Sequence, residues 1–217
     1  MTAGFVAPGR DWFARPAVEV APELLGARLT HVTDTGSTVL RITEVEAYLG
    51  VGDDPGSHAF RGRTRRNEVM FGEPGHLYVY FTYGMHTCAN VVCSPPGDAS
   101  AVLIRAAEVV EGVDAARARR RDAPLRDLAR GPARLTVAAD IRLAQDGADL
   151  LAAPFALEVA EQLPAHLTGP RVGVSGEGGG AGYPWRFWIA GDPTVSAYRP
   201  ATRRGARRPR TQPPTPG

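Results

Sequence analysis

The feature that most constrains the fold is a series of short segments rich in β-branched and aromatic residues, separated by turns and brief connections. The clearest turn is Asp34-Thr35-Gly36, which joins two of these segments. We predict strands over residues 27–33, 37–49, 76–83, 86–94, 101–109, 155–160 and 186–190. Helical spacing predicts helices over residues 16–25, 111–121 and 131–139. The sequence therefore predicts an α+β fold: a single domain with a mostly antiparallel, curved sheet, flanking helices and a protruding β-hairpin.

Length and composition agree with one domain. The chain has 217 residues, 43% of them hydrophobic, which suffices to bury one sizeable core. We predict a short leader over residues 1–15, one domain over residues 16–198, and an Arg- and Pro-rich tail over residues 199–217. The tail is expected to be disordered because it has few apolar residues. No apolar stretch is long enough to span a bilayer, and no secretory signal is visible, so we expect a cytoplasmic protein. Cys88 and Cys93 are therefore expected to be reduced thiols that lie in or near the core.

The basic residues are unusual in kind and in placement. All 25 are Arg, and they cluster over residues 61–66, 117–121 and 199–210. A genome biased toward Arg codons accounts for the missing Lys, but it does not account for the clustering. Because a guanidinium donates in pairs to phosphate oxygens, the clusters indicate a nucleic-acid partner.

One predicted strand carries two carboxylates beside apolar residues. Alternation along residues 41–50 places Glu44, Glu46 and Tyr48 on one face, which they would share with Leu40 and Ile42. A partly buried carboxylate needs a partner or a function. The strand alone leaves two interpretations open: a solvated sheet edge or a catalytic carboxylate.

A second segment, residues 77–85, is rich in tyrosine. Alternation puts Leu77, Val79 and Phe81 on one strand face and Tyr78, Tyr80 and Thr82 on the other. Tyr83 precedes Gly84 and could project from a hairpin tip, where an aromatic ring is able to stack on nucleic-acid bases. Ordinary strand packing explains the tyrosines equally well, and this segment by itself favours packing.

Other polar residues supply hydrogen-bond donors without forming a metal site. They are His58, the loop residues 61–67, Asn90 and Arg105. The spacing of His86, Cys88 and Cys93 matches no tetrahedral zinc pattern. Residues 173–182 lack the features of a P-loop or a dinucleotide site, so we predict a flexible loop there and no metal or cofactor.

In their order along the chain, these segments resemble the alkyladenine (3-methyladenine) DNA glycosylase family. The resemblance runs from about Pro16 to Tyr198, and its joint order and spacing are more specific than any single motif. The residues that carry it are Thr43-Glu-Val-Glu-Ala-Tyr-Leu-Gly50, Arg66-Asn67, Met70-Phe71, Pro74-Gly75, Leu77-Tyr-Val-Tyr80, Tyr83-Gly-Met85, Asn90, Val102-Leu-Ile-Arg105, Glu108, Glu111-Gly112, Gly131-Pro132, Arg171-Val-Gly-Val174 and Arg186-Phe187.

The resemblance implies a role for each matching residue. Glu46 would activate the water that attacks the sugar carbon, and Arg105 would position that water and the DNA backbone. Tyr48, His58 and Tyr80 would surround the flipped base, Asn90 would screen the purine, and Tyr83 would fill the gap left in the duplex. Arg61, Arg63, Arg65 and Arg66 are expected to grip the DNA backbone. Two departures from the family are His86, where an aromatic residue is common, and one extra residue between Tyr48 and His58.

The absence of Lys bears on the reaction. Glycosylases that also nick the strand use an amine to form a Schiff base with the sugar. With no Lys, only the N-terminal amine remains, so we predict a monofunctional enzyme of base-excision repair that releases alkylated purines from double-stranded DNA by hydrolysis. We further expect a monomer, associated with the nucleoid through DNA binding. The alternatives are a non-catalytic nucleic-acid-binding module and a hydrolase of small nucleosides.

Overall fold

The fold is built on one sheet whose named strands pair antiparallel with one another. The computed structural model describes residues 4–82 and 86–201. Its strands are β1 (Phe5–Val6), β2 (Arg28–Thr33), β3 (Gly36–Tyr48), β4 (Leu77–Thr82), β5 (His86–Cys93), β6 (Ser100–Glu111), β7 (Ala129–Arg130), β8 (Phe155–Ala160), β9 (His166–Gly169) and β10 (Arg186–Ile189). The order across the sheet is β1-β8-β2-β3-β6-β5-β4. On the β2 side, the second half of β3 pairs with β10, which also pairs with β9.

Four short α-helices flank the sheet in the described part of the chain: α1 (Arg10–Phe13), α2 (Ala17–Glu23), α3 (Val113–Arg119) and α4 (Pro132–Ala138). Single 3₁₀ turns cover Glu68–Phe71, Leu125–Asp127, Leu143–Gln145 and Glu177–Gly179. The helix predicted over 111–121 is shorter because Glu111 still pairs with Val39 in the sheet. Gly112 then turns the chain at φ +71, a conformation that favours glycine.

The predicted α+β fold, with a mostly antiparallel sheet and flanking helices, is confirmed. The strands that the sequence did not predict are β1, β7 and β9, which have two to four residues each and carry little periodic signal. β4 and β5 form the predicted hairpin. Its tip, residues 83–85, lies outside the described residues, and so does the tail from residue 202 onward.

The predicted faces of β3 were wrong in one respect, because the pairing of β3 with β6 shifts register at three places, one of which is a bulge at Thr43. Ile42 lies opposite Ala107 and Glu44 opposite Ala106, which leaves Thr43 as an extra residue in β3. An extra residue reverses the alternation of side chains. Leu40 and Ile42 therefore share the core face with Val45 and Ala47, as four members of one hydrophobic cluster. Glu44, Glu46 and Tyr48 share a face with each other, but it is the opposite one.

The two faces of the sheet have different coverings. The first face carries the main core, which includes Phe13, Leu24, Leu77, Val79 and Leu135 from helices and strands. A smaller cluster on the other face contains Met70, Tyr78, Val92 and Ala101, with Tyr80 packed against it. Tyr78 and Tyr80, which were predicted to share one face of β4, therefore lie on the sheet face opposite the main core. Loops cross the sheet on this side.

The segment before Pro16, predicted to be a short leader, contacts the domain. Phe5 and Val6 pair with Val159 and Ala160 of β8. Phe13 is fully buried in the main core. Arg10 forms an ion pair of 2.6 Å with Asp149. Both free cysteines, Cys88 and Cys93, are buried as predicted. In the part of the chain that the structure describes, no helix is long and apolar enough to cross a membrane.

Candidate active site

A pocket of about 520 Å³ opens on the sheet face away from the main core. Its floor comes from neighbouring strands in register, because Glu46 of β3 lies opposite Leu103 of β6, Leu103 opposite Asn90 of β5, and Asn90 opposite Tyr78 of β4. Directly opposed residues in antiparallel strands point to the same side. Two loops complete the walls, one containing residues 55–58 and the other residues 172–175.

Glu46 lies beneath this pocket with no solvent exposure. Its Oε1 accepts a hydrogen bond of 2.6 Å from the backbone N–H of Val172. Its Oε2 accepts one of 2.8 Å from the Tyr48 hydroxyl and one of 3.4 Å from Nη1 of Arg105. Each of these three partners lines the pocket. Hydrogen bonds of this kind are what a carboxylate needs when it is buried away from water.

Arg105 follows the pocket-lining Leu103 by two residues on β6 and lies at a further register shift in the β3–β6 pairing. Val45 lies opposite Ile104 while Glu44 lies opposite Ala106, so Arg105 is the extra residue of β6. Bulges redirect side chains and are common beside active sites. Nε of Arg105 also donates to Glu44 at 2.9 Å. Burial by itself would lower the pKa of Arg105, but the carboxylates of Glu46 and Glu44 outweigh it and raise that pKa.

Glu44 has a different environment from Glu46, although both are fully buried. Its Oε1 accepts hydrogen bonds from Arg105, from Nε of Arg186 at 2.7 Å and from the Ser196 hydroxyl at 3.0 Å. Its Oε2 accepts the Ser196 backbone N–H at 2.7 Å. Neither glutamate lines the pocket itself, but all three described partners of Glu46 do, whereas of the described partners of Glu44 only Arg105 does. Glu44 connects β3 to β6, β10 and the chain at Ser196, which is a structural arrangement.

Aromatic side chains form the walls of the pocket. The His58 and Tyr80 rings meet edge to face at 4.6 Å between centroids, and the Tyr78 and Tyr80 rings are 5.4 Å apart. Nδ1 of His58 lies 3.1 Å from the Tyr78 hydroxyl. Burial, aided by the Arg66 cation, lowers the pKa of His58, so this imidazole is neutral at pH 7. Burial raises the pKa of Tyr78 to about 12 and that of Tyr80 further, so both hydroxyls stay protonated.

Tyr48 and Asn90 complete the set of predicted pocket residues. Burial, with a smaller contribution from Glu46, raises the pKa of Tyr48 well above its usual value, so its hydroxyl is the donor to Glu46. Asn90 donates from Nδ2 to the Tyr78 carbonyl at 2.9 Å, and this bond fixes the orientation of its amide. The structure thus brings Glu46, Arg105, Tyr48, His58, Tyr80 and Asn90 together around one cavity.

The four arginines of residues 61–66 are all exposed, and the guanidinium carbon of Arg66 lies 5.7 Å from the centroid of the Tyr80 ring in the pocket wall. Arg63 pairs with Glu68 at 2.8 Å, while Arg66 donates to the Phe81 carbonyl at 3.1 Å. The second cluster, residues 117–121, is partly used inside the fold. Arg119 donates to the Ala138 carbonyl, and Arg120 donates to the Leu128 carbonyl. Tyr83, the predicted intercalating residue, lies outside the described residues.

Sequence reasoning gave no role to the ion pair between Asp54 and Arg171. Both side chains are fully buried, and the two partners form two contacts of 2.6 Å. The Gly-rich segment, residues 173–182, was predicted to be a flexible loop, and it packs closely around this pair. The Gly178 carbonyl accepts from Arg171, and a Cβ on Gly178 would overlap the backbone nitrogen of Gly56. An acidic residue and an arginine so far apart in the chain carry no local signal that they meet.

A concave pocket with aromatic walls and a hydrogen-bonded carboxylate beneath it is the kind of site that enzymes use to act on flat, ring-shaped groups. Among residues 4–82 and 86–201, no group of three His, Cys, Asp or Glu side chains could hold a metal ion.

Comparison with known proteins identifies the family. The family model for methylpurine-DNA glycosylase matches residues 11–193, so the chain belongs to this family and is a DNA glycosylase of base-excision repair. A relative from Leifsonia xyli subsp. xyli is 64% identical over 197 residues, covering 88% of this chain and 92% of its own. A relative from Streptomyces avermitilis is 55% identical over 204 residues, covering 91% and 94%. Both are provisionally named 3-methyladenine DNA glycosylase. The resemblance found in the sequence is confirmed.

Proposed function

We propose that this protein flips an alkylated purine such as 3-methyladenine out of duplex DNA into the described pocket and hydrolyses its N-glycosidic bond. The main support for this proposal is the position of Glu46, which accepts hydrogen bonds from three residues that line a cavity with aromatic walls. Chemistry on a base requires its extrusion from the stack, and a deep pocket beside exposed arginines suits that step. The names of the relatives support the choice of 3-methyladenine.

Glu46 is proposed to activate the attacking water. An ionised carboxylate offers about four acceptor positions, and three donors among the described residues occupy Glu46. The remaining position can accept a hydrogen bond from a water molecule and then take its proton. Cleavage of the glycosidic bond develops positive charge on the sugar, which the same carboxylate stabilises. Arg105 is proposed to hold Glu46 and the water in place.

The pocket residues are proposed to hold the flipped base. Tyr48 and Tyr80 offer ring faces for stacking, and His58 offers a neutral imidazole. Asn90 is proposed to screen purines by the groups at their edge. A base that alkylation has made cationic leaves without a second acid, and an electron-rich aromatic wall favours such a cation.

The surface around the pocket is proposed to bind the DNA backbone. Arg61, Arg63, Arg65 and Arg66 would contact phosphates, and Tyr83 would occupy the gap left by the flipped base. We also propose a monomer that associates with the nucleoid through this DNA contact.

The wild-type protein is expected to leave an intact strand with an abasic site. The reason is that the chain has no Lys to form a Schiff base. A duplex with one 3-methyladenine, ethenoadenine or hypoxanthine is incubated with the protein, and strand breaks are measured with and without hot alkali. Breaks that need alkali support a monofunctional hydrolase. Breaks without alkali would refute that part, and binding without any base release would favour a non-catalytic module.

Arg65→Gln is expected to weaken DNA binding equally on damaged and undamaged duplexes. Loss of one phosphate contact should also reduce the slope of log K against log salt by about 1. Filter binding at several salt concentrations measures both effects. Arg126→Gln, which removes another exposed arginine that does not line the pocket, is the matched control. An unchanged salt slope in Arg65→Gln would exclude Arg65 from the DNA contact.

A further inference from the structure

Arg171 is the largest fully buried side chain among the described residues, and the proposed chemistry gives it no task. All five of its N–H groups donate hydrogen bonds: two to the Asp54 carboxylate, two to the Gly178 carbonyl and one to the Ala47 carbonyl. These acceptors belong to three separate segments, namely strand β3, the loop that leads to His58, and the Gly-rich segment. Arg171 therefore joins three walls of the pocket without lining it.

Arg171 is also close to residues of the proposed active site. Ala47 lies between Glu46 and Tyr48 in the chain. The next residue after Arg171 is Val172, whose N–H donates to Glu46 at 2.6 Å. The guanidinium carbon of Arg171 lies 4.4 Å from the centroid of the Tyr48 ring. Because Tyr48 lines the pocket and Arg171 does not, the guanidinium supports this ring from behind.

Asp54 extends the same arrangement to the loop. Its Oδ1 accepts the N–H of Gly56 at 2.9 Å, and its Oδ2 accepts the N–H of Leu49 at 3.1 Å. These bonds hold the two ends of a turn that places His58 in the pocket wall. A Cβ on Gly56 would lie 2.6 Å from Nη2 of Arg171, so the loop backbone packs directly on the guanidinium.

We propose that Arg171 and Asp54 are positioning residues, which set the orientation of Glu46 and Tyr48 for glycosidic bond cleavage. The inference rests on the proposed functions of those two residues. A planar, bidentate pair fixes direction as well as distance, which a lysine cannot reproduce. A buried ion pair is weak support for a role in stability alone, since well-packed neutral groups serve equally well there.

The test separates the rate of chemistry from DNA binding and from folding. Arg171→Lys and Asp54→Asn are compared with wild type in single-turnover base release from a lesion duplex that the wild type processes. Affinity is measured on a duplex with a tetrahydrofuran abasic site, which places no base in the pocket. Thermal melting gives the folded fraction. The matched control is Arg119→Lys, because Arg119 also binds a carbonyl and a side chain inside the fold, at Ala138 and Thr38, but contacts none of the proposed site residues among its described hydrogen bonds.

The release rate per folded molecule is expected to fall by about 10- to 100-fold in Arg171→Lys and Asp54→Asn, as misplacement of a reacting group does. Affinity for the abasic duplex should stay close to that of wild type, and Arg119→Lys should change melting only. A release rate equal to that of wild type in either folded variant would overturn the proposal. If the single variants do not fold, the neutral pair Asp54→Asn with Arg171→Gln is judged by the same criterion. If the wild type releases no base, the proposed function itself is wrong.

Discussion

Glu46→Gln is expected to reduce base release by at least about 100- to 10,000-fold, the usual contribution of a general base. The amide keeps the size of the side chain and can still accept the Val172 N–H, but it cannot take a proton from water. Arg105 keeps its 2.9 Å contact with Glu44, so no guanidinium is left without a carboxylate. Single-turnover release from a lesion duplex measures the rate.

Binding of lesion DNA by Glu46→Gln should remain close to that of wild type, because the proposed phosphate contacts are made by exposed arginines and not by this buried side chain. The matched control is Glu108→Gln on β6, where the exposed carboxylate pairs with Arg41 and Arg41 retains Asp192 as a partner. This control should release base at the wild-type rate. A Glu46→Gln variant with a rate near that of wild type would show that another group activates the water.

Glu44→Gln is expected to produce the largest loss of stability, about 3–5 kcal/mol in the free energy of unfolding. The carboxylate of Glu44 is the shared partner of two nearly buried arginines, Arg105 and Arg186. An amide would remove this charge and turn an N–H group toward N–H donors of Arg or Ser196, which leaves buried donors without an acceptor. For a chain of this size the melting temperature should fall by roughly 6–20 °C.

Thermal melting and urea unfolding measure the stability of Glu44→Gln, with Glu108→Gln again as the control. An exposed pair contributes only about 0–1 kcal/mol, so the control should melt close to wild type. The comparison with Glu46→Gln is informative because the two glutamates lie two positions apart on one strand and are equally buried. If Glu44→Gln melted at the wild-type temperature but lost activity, Glu44 would have a catalytic role instead of a structural one.

Much of the site could be predicted because its residues lie on regular strands. The alternation in β4 correctly separated Leu77 and Val79, in the main core, from Tyr78 and Tyr80 on the pocket side. In β3 the same rule failed, since a bulge at Thr43 reverses the alternation and nothing in the local pattern marks it. Glu44, Glu46 and Tyr48 were correctly grouped with each other but placed on the wrong face.

By itself, the sequence determined the class of fold, the positions of the longer strands, the glycosylase family and the residues expected around the base. These depend on periodicity and on motifs in a given order, both of which are local properties of the chain. Only the tertiary structure decided that Glu44 is the shared partner of two buried arginines, that Arg105 meets Glu46 across 59 positions, and that Arg171 meets Asp54 across 117. Such contacts depend on strand register and loop packing, and no periodic pattern along the chain encodes a pairing over that distance.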